Sequence, residues 1–164
     1  MGVTKEFVIG VDPGKATGIA VYDLVSNKVI EVHETQNGIK GFKPVFLDLL
    51  YDYNADLSHV ACENFTLRSS NKFTANLDGV KIIGWMQGEE YGEAFPEPSQ
   101  HMQLTRLREK KDNYADSPVT HMMKQAGCKI GKGHTRMGLS VAVWFAAKRL
   151  THIPTLELLK PKDS

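Results

Sequence analysis

The chain opens on an uninterrupted apolar run, Phe7-Val8-Ile9-Gly10-Val11, that stops at Asp12. A short apolar run closed by turn residues predicts a buried strand. Asp12-Pro13-Gly14-Lys15 is turn chemistry, and residues 17–22 read as a second strand. Residues 28–35 alternate polar and apolar, and the Ser26-Asn27 break before them suits a hairpin turn. The fold is therefore expected to start with an antiparallel three-strand meander. The period then changes. Phe42, Val45, Phe46, Leu49 and Leu50 recur at helical spacing and predict a helix over 42–53 with that face inward. Residues 57–62 form another apolar strand, which ends on Glu63. A long helix is expected over 71–91, with Phe73, Leu77, Val80, Ile83 and Trp85 inward and Gly79, Gly84 and Gly88 at mixed intervals. Residues 94–102 contain prolines and suit a short edge strand. Ser117-Pro118 predicts a capped helix start, with the helix running to Gln125 and Gly127 as its stop. Residues 134–150 are strongly apolar, with Val141, Val143, Trp144, Phe145 and Ala147, and predict a buried helix. After Pro154 come a short amphipathic stretch and a charged tail.

A meander followed by alternating helices and strands predicts the α/β class, with a mixed five-stranded sheet flanked by helices. The 164 residues suit one domain with a real core. No repeat or long linker divides them, so the expected organisation is one domain over 1–154 and a C-terminal tail over 155–164. No run of eighteen apolar residues spans a membrane, and no signal-peptide pattern is present. Cys62 and Cys128 match neither a metal spacing nor a disulfide framework. The expected setting is the cytoplasm.

Charge changes the picture locally. The formal net charge is only +1, which announces no nucleic-acid partner. Residues 104–136, however, hold Arg106, Arg108, Lys110, Lys111, Lys124, Lys129, Lys132 and Arg136 against Glu109, Asp112 and Asp116. That segment carries +5 and the rest of the chain −4. Clustered Lys and Arg gain affinity by releasing counterions from a nucleic-acid backbone; a solvated surface is the plainer alternative. Lys15, Arg106, Arg108, Lys110, Lys111, Lys132 and Arg136 are the candidates for DNA phosphates.

The candidate chemistry lies at two strand ends. In Gly10-Val11-Asp12-Pro13-Gly14-Lys15-Ala16-Thr17-Gly18 an apolar strand delivers a carboxylate, and glycines keep the next turn open to a metal ion or phosphate. The spacing is not that of a Walker A loop, and a strand rather than a helix follows, which excludes the dinucleotide fingerprint. Glu63 closes the other strand. A charge beside the core requires compensation. Adjacent parallel strands would put both acids at the same end of the sheet, where a hard cation such as Mg²⁺, with Mn²⁺ as its substitute, takes carboxylate oxygens.

These motifs resemble the RuvC-like Holliday junction resolvases of the ribonuclease H-like superfamily. Gly10-Val11-Asp12-Pro13-Gly14, with Thr17-Gly18-Ile19-Ala20-Val21, is similar to their first strand pair. Ala61-Cys62-Glu63-Asn64-Phe65 is similar to their second acidic strand, phage members above all. Residues 79–88 resemble the helix that follows, and Gly133-His134-Thr135-Arg136-Met137 falls where the last catalytic helix starts. The likeness runs from Phe7 to Arg149. It implies a ribonuclease H-like fold, a Mg²⁺-dependent two-metal endodeoxyribonuclease acting on branched DNA, and a homodimer. Asp12, Glu63 and His134 would be its metal-site and catalytic residues. One departure stands out: Met137 occupies the position where the family carries an Asp, and a thioether is a poor ligand for Mg²⁺. A non-catalytic, structure-selective DNA-binding protein of the same fold is the alternative. A two-domain actin-like kinase, which also opens on Asp-x-Gly, needs more chain than is present.

Overall fold

A computed structural model describes residues 4–63, 77–89, 91, 118–127 and 134–159. The meander is present as β1 (Phe7–Asp12), β2 (Thr17–Asp23) and β3 (Lys28–Thr35). Helix α1 (Ile39–Asp52) then crosses over, through a 3-10 turn at Ala55–Leu57, to β4 (Ser58–Cys62). Helices α2 (Asp78–Gly88), α3 (Pro118–Gln125) and α4 (His134–Trp144) follow. The last of these widens into a π-turn at Phe145–Arg149, and the described chain closes with α5 (Ile153–Leu158).

The sheet order is β3-β2-β1-β4, antiparallel except for the parallel pair of β1 and β4. Among the described residues it has four strands, not the five expected. The edge strand foreseen over 94–102 lies outside the described residues. β1 is central and covered on both faces, which is why it reads as continuous apolar sequence rather than alternation. One face meets α1 and α2, where Ile9, Val11, Ile19 and Val21 pack with Phe42, Phe46, Ile82 and Met86. The other meets α3 and α4, where Val8, Ala20 and Tyr22 pack with Met123, Leu139, Val143 and Trp144.

One expectation about helices needs correction. In α2 the buried residues are Gly79, Ile82, Ile83 and Met86; of the residues expected inward, Ile83 is buried and Trp85 packs partly buried against the core, Phe73 lies outside the described residues, and Leu77 and Val80 are 55% and 41% exposed. Gly79 is the small residue that begins the buried stripe, so the face is rotated from the one the larger side chains suggest. Position 154 lies in α5, whose Thr155 is fully buried. Its hydroxyl pairs with the Tyr22 hydroxyl at 2.8 Å and with His152 Nδ1 at 2.7 Å, so this helix is fastened to β2. Among the described residues no helix is long and apolar enough to cross a membrane.

Helix α4 lies almost directly on the strand backbones. A Cβ on Gly10 would stand 2.2 Å from the Gly138 carbonyl oxygen, and one on Gly18 only 1.6 Å from that of His134. Overpacking costs about 1–3 kcal/mol, and occasionally more where backbone must yield. Gly18→Ala is therefore expected to lower the unfolding free energy by at least about that amount. Gly84→Ala, on the exposed side of α2 where an added Cβ meets nothing within 4 Å, should raise it by up to about 1 kcal/mol. Denaturant unfolding of the two variants checks both signs; equal effects would contradict this packing.

Candidate functional site

Strand register assembles the site. β1 pairs Asp12 with Gly18, and β2 pairs Gly18 with Glu34. On the other side, Val11 pairs with Cys62, and the Glu63 amide donates to the Val11 carbonyl at 3.0 Å, which continues the ladder by one step. Glu34, Gly18, Asp12 and Glu63 thus form one row across the C-terminal end of β1. Residues opposite one another on neighbouring strands point to the same face. The approach of His134 to Gly18 identifies that face as the one under α4.

Asp12 is 5% exposed. His134, the first residue of α4, brings Nδ1 to 3.2 Å from Asp12 Oδ2. This contact joins residues 122 positions apart in sequence. The hydrogen bond that His134 donates to Asp12 raises the His134 pKa above its ordinary value; partial burial opposes it, and the charges of Asp12 and Glu34 add to it. Cys62 points to the opposite face. Burial pushes its thiol far up, and the charges of Asp12 and Glu63 reinforce the shift, so it is a neutral thiol and no candidate nucleophile.

The structure thus brings Asp12 and His134 into contact and sets half-buried Glu63 on the adjacent strand end. Among the described residues no three His, Cys, Asp or Glu side chains converge as a metal-holding group in this conformation. The donors still suit a hard divalent cation: carboxylates on neighbouring strands, with one imidazole beside them. Met137 lies one turn beyond His134 and is half-buried. Lys15 is exposed in the β1–β2 turn and borders a shallow cavity with Asn37, Lys40, Gly41 and Asp78. Arg106, Arg108, Lys110, Lys111 and Lys132 lie outside the described residues.

Arg136 departs from expectation. It is 1% exposed, and its guanidinium donates to Thr120 Oγ1 on α3. A buried arginine tying two helices is not presented to DNA phosphates, so it leaves the candidate DNA-binding set. The glycines also have a different role. Gly10 and Gly18 admit α4 rather than a ligand, and Gly14 is closed by Thr17, whose Oγ1 accepts from the Gly14 amide at 3.2 Å and donates to its carbonyl at 3.0 Å. Glu34 was not singled out from the sequence; the signal was its place at the end of the third strand of the meander.

Among solved structures, RuvC of T. thermophilus in complex with a Holliday junction substrate matches with a TM-score of 0.59 and 15% identity, over 90% of this chain and 97% of that one. A second structure of Thermus thermophilus RuvC matches with a TM-score of 0.59 and 13% identity, over 89% and 97%. The fold is RuvC-like. It is thereby of the ribonuclease H-like class, an α/β fold with a mixed sheet flanked by helices. No protein-family model matches the sequence, and no curated protein does.

The Asp12–His134 contact has a measurable sign. Because the folded-state pKa of His134 is raised, its stabilisation is complete below the ordinary imidazole value of 6.5 and is lost as pH rises through the raised value. Asp12→Asn should lower the His134 pKa, and an NMR titration of the imidazole reads this directly. An unchanged midpoint would remove the contact from the site.

Proposed function

We propose that this chain is a divalent-cation-dependent endodeoxyribonuclease of the Holliday junction resolvase type, cutting branched DNA at a four-way junction or flap. The observation that carries it is the pairing of a nearly buried strand-end carboxylate, Asp12, with His134 at the head of the last long helix, inside a RuvC-like fold. Glu63 stands one strand away.

Phosphodiester hydrolysis needs an activated water and relief of charge on the leaving oxygen, and a pair of Mg²⁺ or Mn²⁺ ions supplies both when bound. Asp12 would hold both ions and Glu63 one of them. His134 would ligate or move the proton of the attacking water. Lys15, with the lysines and arginines of 106–132, would draw the DNA backbone onto this end of the sheet. Paired cuts in a four-way junction call for two sites related by a two-fold axis, hence a symmetric homodimer. Exposed Leu77 and Val80 and the open space above Gly84 and Gly88 make α2 a candidate for that contact. The nuclease domain would span 1–154 together with the docked α5, in a cytoplasmic setting. The phage-type assignment rests on Ala61-Cys62-Glu63-Asn64-Phe65, of which Asn64 and Phe65 lie outside the described residues.

Met137 favours a second possibility, a structure-selective DNA-binding protein of the same fold with cleavage lost. The deciding experiment incubates labelled four-way, flap and linear DNA with Mg²⁺ or Mn²⁺. Branch-selective cutting that disappears in Asp12→Asn, with folding retained, supports the enzyme. Wild-type rates in that variant would exclude Asp12 as its centre, and binding without cutting under either metal supports the alternative.

Met137→Asp provides an independent check. Positions 134 and 137 share a helix face, and Met137 is only half-buried, so a carboxylate there does not enter the deep core. The variant should bind Mg²⁺ more tightly, cut faster, and melt lower without metal because neighbouring acids repel one another. Thermal melts with and without Mg²⁺ read it. Destabilisation that Mg²⁺ does not reverse would mean that Met137 is packing and the last helix is wrongly aligned with the resolvases.

A further inference from the structure

The site depends on how firmly the start of α4 is held. His134 is the first residue of that helix, and helix ends fray because their outermost backbone groups lack partners within the helix. Its side chain is half-exposed and meets Asp12 at 3.2 Å, long for a bond between an imidazole and a carboxylate. A small outward displacement of the first turn would open it. On the sheet side that turn is restrained by the His134 carbonyl lying against Gly18. On the α3 side it has a second restraint. Arg136 leaves the helix roughly 200° round from His134. It is buried, as is Thr120 of α3, and its guanidinium donates to Thr120 Oγ1. Asp12 and Arg136 are the only charged residues buried among the described residues, and both are joined to the first turn of α4.

We infer that Arg136 is a positioning residue of the active site: it fastens the first turn of α4 to α3 and so holds the His134 imidazole at Asp12. The inference rests on the endonuclease proposal and gives it a residue that acts through His134 rather than on DNA. Burying a guanidinium is costly, and a well-packed apolar pair serves a fold as well or better. The two helices already share an apolar core through Val119, Met123, Leu139 and Val143. What an apolar contact lacks is direction. A hydrogen bond weakens steeply as its angle opens, so it fixes the rotation and slide of α4 against α3 more closely than apolar packing does. Arginine suits this task, since its charge is permanent and its donors form a rigid planar fork. A misplacement of about 1 Å at a reacting group is enough to cost two orders of magnitude in rate.

The test compares wild type with Thr120→Val, with Thr120→Ser, and with a double variant that combines Thr120→Val and Arg136→Met; Asp12→Asn is the reference. Valine removes the acceptor and keeps the shape, whereas serine keeps the hydroxyl. The double variant replaces both partners by apolar groups, a change that is near neutral for folding. It therefore decides the matter even where Thr120→Val alone, with its guanidinium short of an acceptor, does not fold. One readout is the nitrogen resonance of His134 Nδ1 at a single fixed pH, which the bond to Asp12 displaces. The other is kcat and KM on branched DNA, with melting curves alongside. Thr120→Val and the double variant should move the resonance toward its position in Asp12→Asn and lower kcat by roughly a hundredfold with KM little changed, while Thr120→Ser stays with wild type. A double variant that melts like wild type and keeps the wild-type resonance overturns the inference, because the pair is then packing. Loss of folding in the double variant overturns it too, since the pair then serves the core and not the site. A wild-type chain that cuts no branched DNA overturns the endonuclease reading instead, and the His134 resonance still decides whether Arg136 holds the imidazole in place.

Discussion

The close seating of α4 on the backbones of β1 and β2 is the constraint on which the site depends. Gly10, Gly18 and Gly138 meet across this interface at separations no Cβ would tolerate. The approach does two things at once. It buries Leu139, Val143 and Trp144 against Val8, Ala20 and Tyr22, which at about 25 cal/mol per Å² of apolar surface is the kind of contact that holds a domain of this size together. It also fixes the height of His134 above the sheet, so the imidazole reaches Asp12 without help from a loop. Packing and chemistry are set by the same backbone contact.

The electrostatic design follows from that arrangement. A carboxylate as buried as Asp12 requires compensation, and the imidazole at 3.2 Å provides it within the chain. The N-terminal end of α4, with its partial positive charge, faces the row of acids. Glu63 and Glu34 occupy progressively wetter positions on either side. The result is a gradient from a nearly dry acid to a solvated one across a single row of the sheet.

Much of this was legible from the order of residues. The strand ends at Asp12, Cys62 and Thr35 follow from local pattern, and two strands that each terminate on a carboxylate are visible without any structure. What stayed hidden depends on contacts distant in sequence. Gly10 and Gly18 look like turn chemistry beside Asp12, and only the seated helix shows that they are packing surfaces. Arg136 belongs to a basic segment and looks like a surface residue, yet it lies in the interior and donates to Thr120. The buried face of α2 was only partly visible: Ile83 and Trp85 were on it, but Gly79, with no side chain to announce it, opens the stripe and leaves Val80 outside. Glu34 is invisible to spacing because its relation to Asp12 exists only through two successive strand pairings.

The distance along the chain between Asp12 and His134 also orders events during synthesis. The meander, α1 and β4 are complete within the first 62 residues and make mostly short-range pairings, the kind that form early. The cover over that sheet face begins with α3 and is completed by α4, and α5 is fastened after both through Tyr22, Thr155 and His152. A chain still emerging from the ribosome therefore carries the acids without their imidazole and with an uncovered apolar face. The contact between Asp12 and His134 cannot form until residue 134 has been made.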